Sequence, residues 1–423
     1  MTPDQIIDAI ETTLRGPMKN AHMGEFGPDT QLNADLHLDS VLILNLLLHL
    51  ETSHGCEVPE RELSKDSFKT VRDLAGFLTG EDIVIAPEEE IDIKVHCFVS
   101  CLCAAIKARP GMDHRPFYFG VWDTGFHIDE SFRLSYHGAT VKHDHFRHWF
   151  RRLYGVDVIG WYNKDQPKAA NLARFEQLLD QKSETEHLMV MLDLYHLPER
   201  ENKFNQNPFP HYVMIEKTDD PDMWFMHDPD YRWEGKLSRA AILNAIGQPS
   251  VEGGYIFDRA KAVDPTDSDL RDYFDAVFDD SRNPLIDATR RIIQAHVDPS
   301  TPLDIAALDH ALRELPVIAI RKYAYEHGFA VFWRALGLPD QEFEDWCDEI
   351  GALHQGFRAL QYKIIKLSSS GDPALAAQIF ADLDALDRRE FRIKAGLKAW
   401  YMKWHTTVFA TGEFSLATAG MRS

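Results

Sequence analysis

The pattern of apolar residues changes character twice along the chain, and this limits what it can fold into more than any single motif does. In residues 1–80 the apolar positions fit short amphipathic helices. Ile6, Ile7, Ile10 and Leu14 recur at helical spacing, Gly16-Pro17 and Gly27-Pro28 interrupt, a leucine-rich helix runs from Ser40 to about residue 53, and another spans 71–78. Gly80 and the polar stretch 86–90 (APEEE) read as a linker. From about 92 to 262 the pattern is mixed. Residues 96–107 predict an apolar helix, while the runs 188–195 (LMVMLDLY), 211–216 (HYVMIE) and 223–227 (MWFMH), bounded by turn residues, predict strands. The turn 218–222 (TDDPD) joins the last two runs into a hairpin. From about 265 onward almost everything has helical spacing: 306–315, 317–336, 341–367, 373–386 and 389–404, with a break at 369–373 and a loosely ordered last dozen residues. A chain of 423 residues suits two to four domains. The expectation is an all-α unit at 1–82, a linker at 83–92, an α+β unit at 93–264 and an all-α unit at 265–423.

Charge and cysteine usage narrow the function classes. The formal charge of −22 repels nucleic acid and anionic membrane surfaces, since both require a basic footprint. It suits a cationic partner such as a polyamine, and it serves solubility equally well. No run of about 18 uncharged apolar residues exists to span a membrane; the longest, 41–50, is broken by Asn45 and His49. The N-terminal residues MTPDQIIDAI lack the basic region and hydrophobic core of a secretory signal. Five cysteines, Cys56, Cys97, Cys101, Cys103 and Cys347, are an odd and sparse set, which argues for reduced thiols and a cytoplasmic protein.

The segment 34–41 (ADLHLDSV) ends a loop at Asp39 and places Ser40 at a helix N-terminus. There the hydroxyl is exposed, and the positive end of the helix dipole and free backbone N–H groups favour a phosphate. An Asp-Ser pair is also an ordinary helix cap. The wider context decides between these readings. The first helix, the long loop, Asp39-Ser40 and the later segment 68–74 (FKTVRDL) together resemble the acyl carrier protein family over nearly the whole of residues 1–82. The resemblance implies a four-helix carrier domain with 4′-phosphopantetheine attached to Ser40, served by a phosphopantetheinyl transferase and by an adenylating ligase that activates the acyl group. One departure stands out. The helix after Ser40 (VLILNLLLHLE) lacks the acidic face usual in fatty-acid carriers and looks more like an aryl or peptidyl carrier. Covalent fusion raises the effective concentration of a tethered domain to roughly millimolar, so a weak docking surface suffices.

A carrier needs a catalyst that accepts its thioester. Cys97 begins the apolar helix of the middle region, and a helix N-terminus favours a nucleophilic thiolate. His211 opens one predicted strand and Asp228 closes the next, so adjacent antiparallel strands can set them side by side, the aspartate orienting an imidazole that activates the thiol. Taken alone, a cysteine on an apolar helix is more often a small hydrophobe, and His211 could be a polar cap. Residues 95–230, however, resemble the papain-like butirosin-pathway acyltransferase family, through His96-Cys97, 119–126 (FGVWDTGF), 192–198 (LDLYHLP), 211–213 (HYV) and 227–229 (HDP). By that resemblance Cys97 is the nucleophile, His211 the base and Asp228 the orienting acid. Trp122-Asp123 stands where the family has more glycine, which puts the pocket shape in doubt. Cys101 lies one turn after Cys97 and should point inward. Cys103 falls on another face, and the cysteine spacing is not that of a zinc site, so no metal is expected. The segment 142–148 (KHDHFRH) sets His145 and His148 on one helix face; a hydrogen-bonded surface outweighs a metal site there, and Arg147, Arg151 and Arg152 are candidates for meeting a phosphate.

A carrier, a papain-like acyltransferase and a helical tail together resemble petrobactin-type siderophore synthases. That implies transfer of an aryl group such as dihydroxybenzoyl from the carrier to an amine such as a polyamine. Either Cys97 is acylated on the way or His211 deprotonates the amine for direct attack. The helical tail would be an acceptor lid, a homodimer surface or plain support. A thioesterase or cysteine peptidase, with water as acceptor, and a non-catalytic carrier scaffold are the competing classes.

Overall fold

The computed structural model describes residues 1–24, 26–32, 35, 36, 38, 40–56, 58, 69–80, 95–138, 140–197, 200 and 207–417. Ala34, His37, Asp39 and Phe68 of the carrier signature, the linker at 83–92, Pro198 and the last six residues lie outside these. In the N-terminal region α1 (Pro3–Arg15), α2 (Ser40–His54) and α3 (Val71–Thr79) follow the expected helices. A fourth helix does not occur among the described residues of this region. Capping boxes start α1 at Thr2 with Gln5 and α3 at Thr70 with Asp73, each satisfying two otherwise orphaned N–H groups. Ile6, Ile10 and Leu14 meet Leu44, Leu47, Leu50, Leu74 and Phe77 in a core of their own.

The central region begins with α4 (Cys97–Lys107) and a small hairpin of β1 (His127–Ile128) and β2 (Leu134–Ser135). It continues through α5 (Asp144–Tyr154), β3 (Ile159–Gly160), α6 (Lys168–Gln181), β4 (Glu186–Asp193), β5 (Pro210–Lys217), β6 (Met223–Asp228), β7 (Trp233–Ser238), α7 (Arg239–Ile246) and β8 (Gly254–Asp258). The larger sheet is antiparallel, in the order β3–β8–β4–β5–β6–β7. Side chains alternate across a pleated strand. Met189, Met191, Tyr212 and Met214 therefore join the core under α4, while Leu188, Val190, Leu192, Val213 and Ile215 join a second core that includes Phe175 of α6 and Ile242 of α7. Burial on both faces explains why LMVMLDLY and HYVMIE are continuous apolar runs rather than alternating ones.

The C-terminal region comprises α8 (Asp267–Val277), α9 (Pro284–Val297), α10 (Leu308–Ala311), α11 (Leu315–Ala319), α12 (Ala324–Leu336), α13 (Asp340–Ser370) and α14 (Pro373–Ala417). Two expectations need correction. The segments 306–315 and 317–336 are not two helices but a series of short ones, with 3₁₀ turns at Ile305–Ala307 and Ile320–Tyr323. The second tight turn carries the buried Arg321 and Lys322, whose side chains reach main-chain carbonyls of residues 122–125. The segments 373–386 and 389–404 are one continuous helix, because Asp387 and Arg388 between them are not helix breakers; that helix also runs into the tail expected to be loose. The break at 369–373 holds: Gly371, at φ 63°, caps α13 in the left-handed region, and Pro373 starts α14.

One hydrophobic core runs through the central and C-terminal regions, with Phe98, Phe117 and Trp122 packed into the same cluster as Phe274, Phe332 and Trp404. Gly120 makes part of this fit possible. It sits at φ 75°, and a Cβ there would come within 2.6 Å of Val277. The N-terminal region is joined to the rest on α13. Ile365 enters its core, and Glu51 at the end of α2 accepts from Lys366 Nζ at 2.7 Å and Tyr362 Oη at 2.5 Å. Among the described residues no helix is long and apolar enough to cross a membrane.

Candidate active site

α4 lies over β5, with the Phe98 ring edge-on to Tyr212 at 5.5 Å and Cys101 Sγ 3.6 Å from the Tyr212 carbonyl oxygen. Cys101 and Cys103 are buried, as inward-facing residues should be, and Cys97, the first residue of α4, is half-buried. β5 and β6 pair antiparallel, which brings His211 beside Asp228: His211 Nε2 is 2.8 Å from Asp228 Oδ1. The Cys97 sulfur lies close enough to the same imidazole to favour its charged form. Since Asp228 occupies Nε2, Nδ1 is the nitrogen left for the sulfur. The structure thus brings together Cys97, His211 and Asp228 from a helix start and two strands.

Burial opposes a charge on His211, but the Asp228 carboxylate, the hydrogen bond His211 donates to it and the nearby Cys97 sulfur outweigh it and hold the imidazole pKa well above its ordinary value. Burial likewise opposes the Asp228 charge, yet His211 and Arg200 hold that carboxyl below its usual value. A group with a raised folded pKa stabilises fully below its unfolded value, about 6.5 for histidine, and loses that contribution as pH rises through the folded pKa. Asp228→Asn should therefore destabilise the fold more at pH 5.5 than at pH 9. Urea unfolding at the two pH values would show this, and an equal loss at both would mean that His211 is not held protonated by Asp228.

Several residues complete the site without having been singled out from the sequence. Arg200 Nη2 donates to Asp228 Oδ2 at 2.8 Å, and its guanidinium lies 4.2 Å from the centre of the Trp233 ring. Tyr231 stacks on His211 with ring centres 4.9 Å apart. Asp230 accepts from Ser100 Oγ at 2.8 Å and from the His96 backbone N–H, tying down the first turn of α4. From the C-terminal region come Glu314, which accepts from the Tyr136 N–H at 2.9 Å, and the buried Arg321. Asp230 had a local signal, standing two residues after Asp228; Arg321 and Glu314 are remote in sequence and had none.

Asp123, where more glycine was expected, is a structural anchor. It accepts from Lys322 Nζ at 3.0 Å and Lys394 Nζ at 2.7 Å. In the histidine-rich segment His143 stacks on Phe98 at 4.3 Å, and burial holds its pKa down to about 3. His145 and His148 are exposed on α5. The three arginines suggested for phosphate are already paired, Arg147 with Asp144, Arg151 with Asp157, and Arg152 with Asp269 and Asp272. Among the described residues no three of His, Cys, Asp and Glu are grouped so as to hold a metal.

Family models place this site in context. A phosphopantetheine attachment site model matches residues 21–78, the DUF6005 N-terminal domain matches 92–262 and the DUF6005 C-terminal domain matches 268–416. Petrobactin synthase of Bacillus anthracis is 40% identical over 312 residues, covering 74% of this chain and 95% of that protein. The chain belongs to the petrobactin synthase family. An acyl carrier protein of Streptomyces coelicolor is 32% identical over 83 residues, 20% of this chain and 86% of the carrier. This family member therefore combines a synthase with a carrier domain and has phosphopantetheine as its cofactor. The fold suits that group: α2 starts at Ser40 with no acidic residue in its first turn to repel a phosphodiester. A carrier domain implies a phosphopantetheinyl transferase and an acyl-activating enzyme as partners.

Proposed function

We propose that this chain transfers an acyl group, held as a thioester on its own carrier, to an amine and so forms an amide. The observation that carries the reading is the Cys97–His211–Asp228 line at the start of α4 in a chain that also has a phosphopantetheine attachment domain. We read 1–82 as the carrier with Ser40 as attachment point, 83–92 as a linker, 93–264 as a papain-like domain and 265–423 as a helical domain that helps to build the site. The name of the relative, petrobactin synthase, supports a place in siderophore biosynthesis; an aryl acyl group and a polyamine acceptor are what the resemblance of the sequence to petrobactin-type synthases adds.

Phosphopantetheine on Ser40 supplies a thiol that presents the acyl group as an activated thioester. His211 holds at Nδ1 the proton given up by Cys97, and the thiolate adds to the acyl carbonyl. Asp228, kept ionised, holds the imidazolium, which returns the proton to the leaving sulfur. The amine then attacks acyl-Cys97 while His211 takes its proton. The test is intact-protein mass spectrometry on the holo chain loaded with dihydroxybenzoyl, before and after addition of spermidine. Loss of the acyl mass with formation of the amide supports the reading. Free acid in place of amide marks a hydrolase, and no turnover marks a scaffold. Ser40→Ala should show neither the phosphopantetheine mass nor any product.

A further inference from the structure

Arg321 lies in the tight turn between α11 and α12, and its side chain is buried. Three other buried cations sit directly on carboxylates: Lys322 and Lys394 on Asp123, and Arg200 on Asp228. Arg321 does not. Nη1 donates to the main-chain oxygens of Thr124 and Gly125, both at 3.3 Å, while Nε and Nη2 hold no partner among the described residues. Burial pulls its pKa down to about 10, and among the charges that oppose this Cys97 weighs most, ahead of Asp230, Tyr136 and Glu314. A buried cation without a direct ion pair costs the fold several kcal/mol. Bracing two carbonyls of the loop 124–125 needs no charge, since a neutral donor would serve. The charge is explained if negative charge forms beside Cys97.

We propose that Arg321 is a catalytic residue, donating an N–H to the acyl carbonyl oxygen as that oxygen becomes negative. This rests on the reading that the acyl carbonyl is attacked beside Cys97. When the Cys97 Sγ–C bond forms, the carbonyl π pair moves onto oxygen, and the guanidinium hydrogen-bonds that oxyanion without giving up its proton. Collapse restores C=O and breaks the original C–S bond, and the departing sulfur takes the proton that His211 removed from Cys97. The C-terminal region is then part of the active centre.

The test uses the full holo chain, loaded as above, with spermidine as acceptor. Removing one donor from such a site typically costs about 10²–10³ in kcat. Arg321→Met should show a loss of that size with KM for spermidine within about twofold of wild type, and Arg321→Lys, which keeps the charge but not the fork, should lie between. The melting temperature separates this from a bracing role. If Arg321→Met melts early, Arg321→Lys decides: a well-folded lysine variant with wild-type kcat overturns the proposal. So does a folded Arg321→Met with kcat within about threefold of wild type, or one that changes KM alone. If wild type hydrolyses the thioester instead of forming amide, the reading as a transferase fails, but the same oxyanion forms and the same variants still test Arg321. No turnover by wild type sinks both.

Discussion

Cys97→Ala should lower amide formation from the loaded carrier by about 10³-fold or more, while Ser40 is still modified and acylated at the wild-type rate. The magnitude follows from the site. With the sulfur gone, His211 and Asp228 keep their 2.8 Å contact, but no group remains to take the acyl chain from the carrier. The substitution removes one half-buried atom from the start of α4, so the fold should survive, and the melting temperature should move by no more than a few degrees. Intact mass after a timed quench reads both quantities, because an acyl group stranded on the carrier and an acyl group passed to the amine differ in where the mass goes. Residual transfer near the wild-type rate would mean that His211 serves the amine directly, and the acyl-cysteine route would be abandoned. His211→Asn should match Cys97→Ala, since the two residues act as a unit, and the double variant should lose little more than either single one.

Asp123→Ala should be the most destabilising single substitution between the central and C-terminal regions, costing about 3–5 kcal/mol. Lys322 and Lys394 are both fully buried, and Asp123 bridges them; on the far side Lys322 meets Glu390, which also accepts from Tyr325 Oη at 2.9 Å. Burial works against the Lys322 charge, and Asp123 with Glu390 keeps it ionised. Two lysines and two carboxylates balance. Removing Asp123 leaves two buried ammonium groups against one carboxylate, and neither can reach water. Thermal melting should fall by about 2–4 °C for each kcal/mol lost. The second variant Lys394→Met restores the balance, so Asp123→Ala with Lys394→Met should lose less than the sum of the two single changes. Additive losses would mean that the four charges do not form one network.

The same residues show where sequence reasoning stops. The helices of the carrier, the β5–β6 hairpin and the helix begun by Cys97 were legible because each follows from local periodicity, turn residues and caps. The proximity of His211 to Asp228 was legible too, since a tight hairpin fixes the register of its strands. The role of Asp123 was not. In the sequence it looked like an intrusion into a glycine-rich motif, and only the arrival of Lys322 and Lys394, 199 and 271 residues later, gives it a function in the fold. The tight turn at Ile320–Tyr323 was hidden for a similar reason: helical spacing continues through it, and the burial of Arg321 and Lys322 against residues 122–125 overrides local preference.

The sequence by itself determined three regions of distinct secondary structure, a serine at a helix start in a carrier-like segment, and a cysteine, a histidine and an aspartate on elements able to bring them together. Those properties depend on spacing within a few tens of residues, where backbone geometry dictates the outcome. The tertiary structure alone decided that the central and C-terminal regions share one core, that α2 rests on α13 through Glu51, and that Arg321 enters the site of Cys97. Each of these joins groups far apart in the chain. Chain spacing carries no information about such contacts; burial of apolar surface and the cost of an unpaired charge away from water select them.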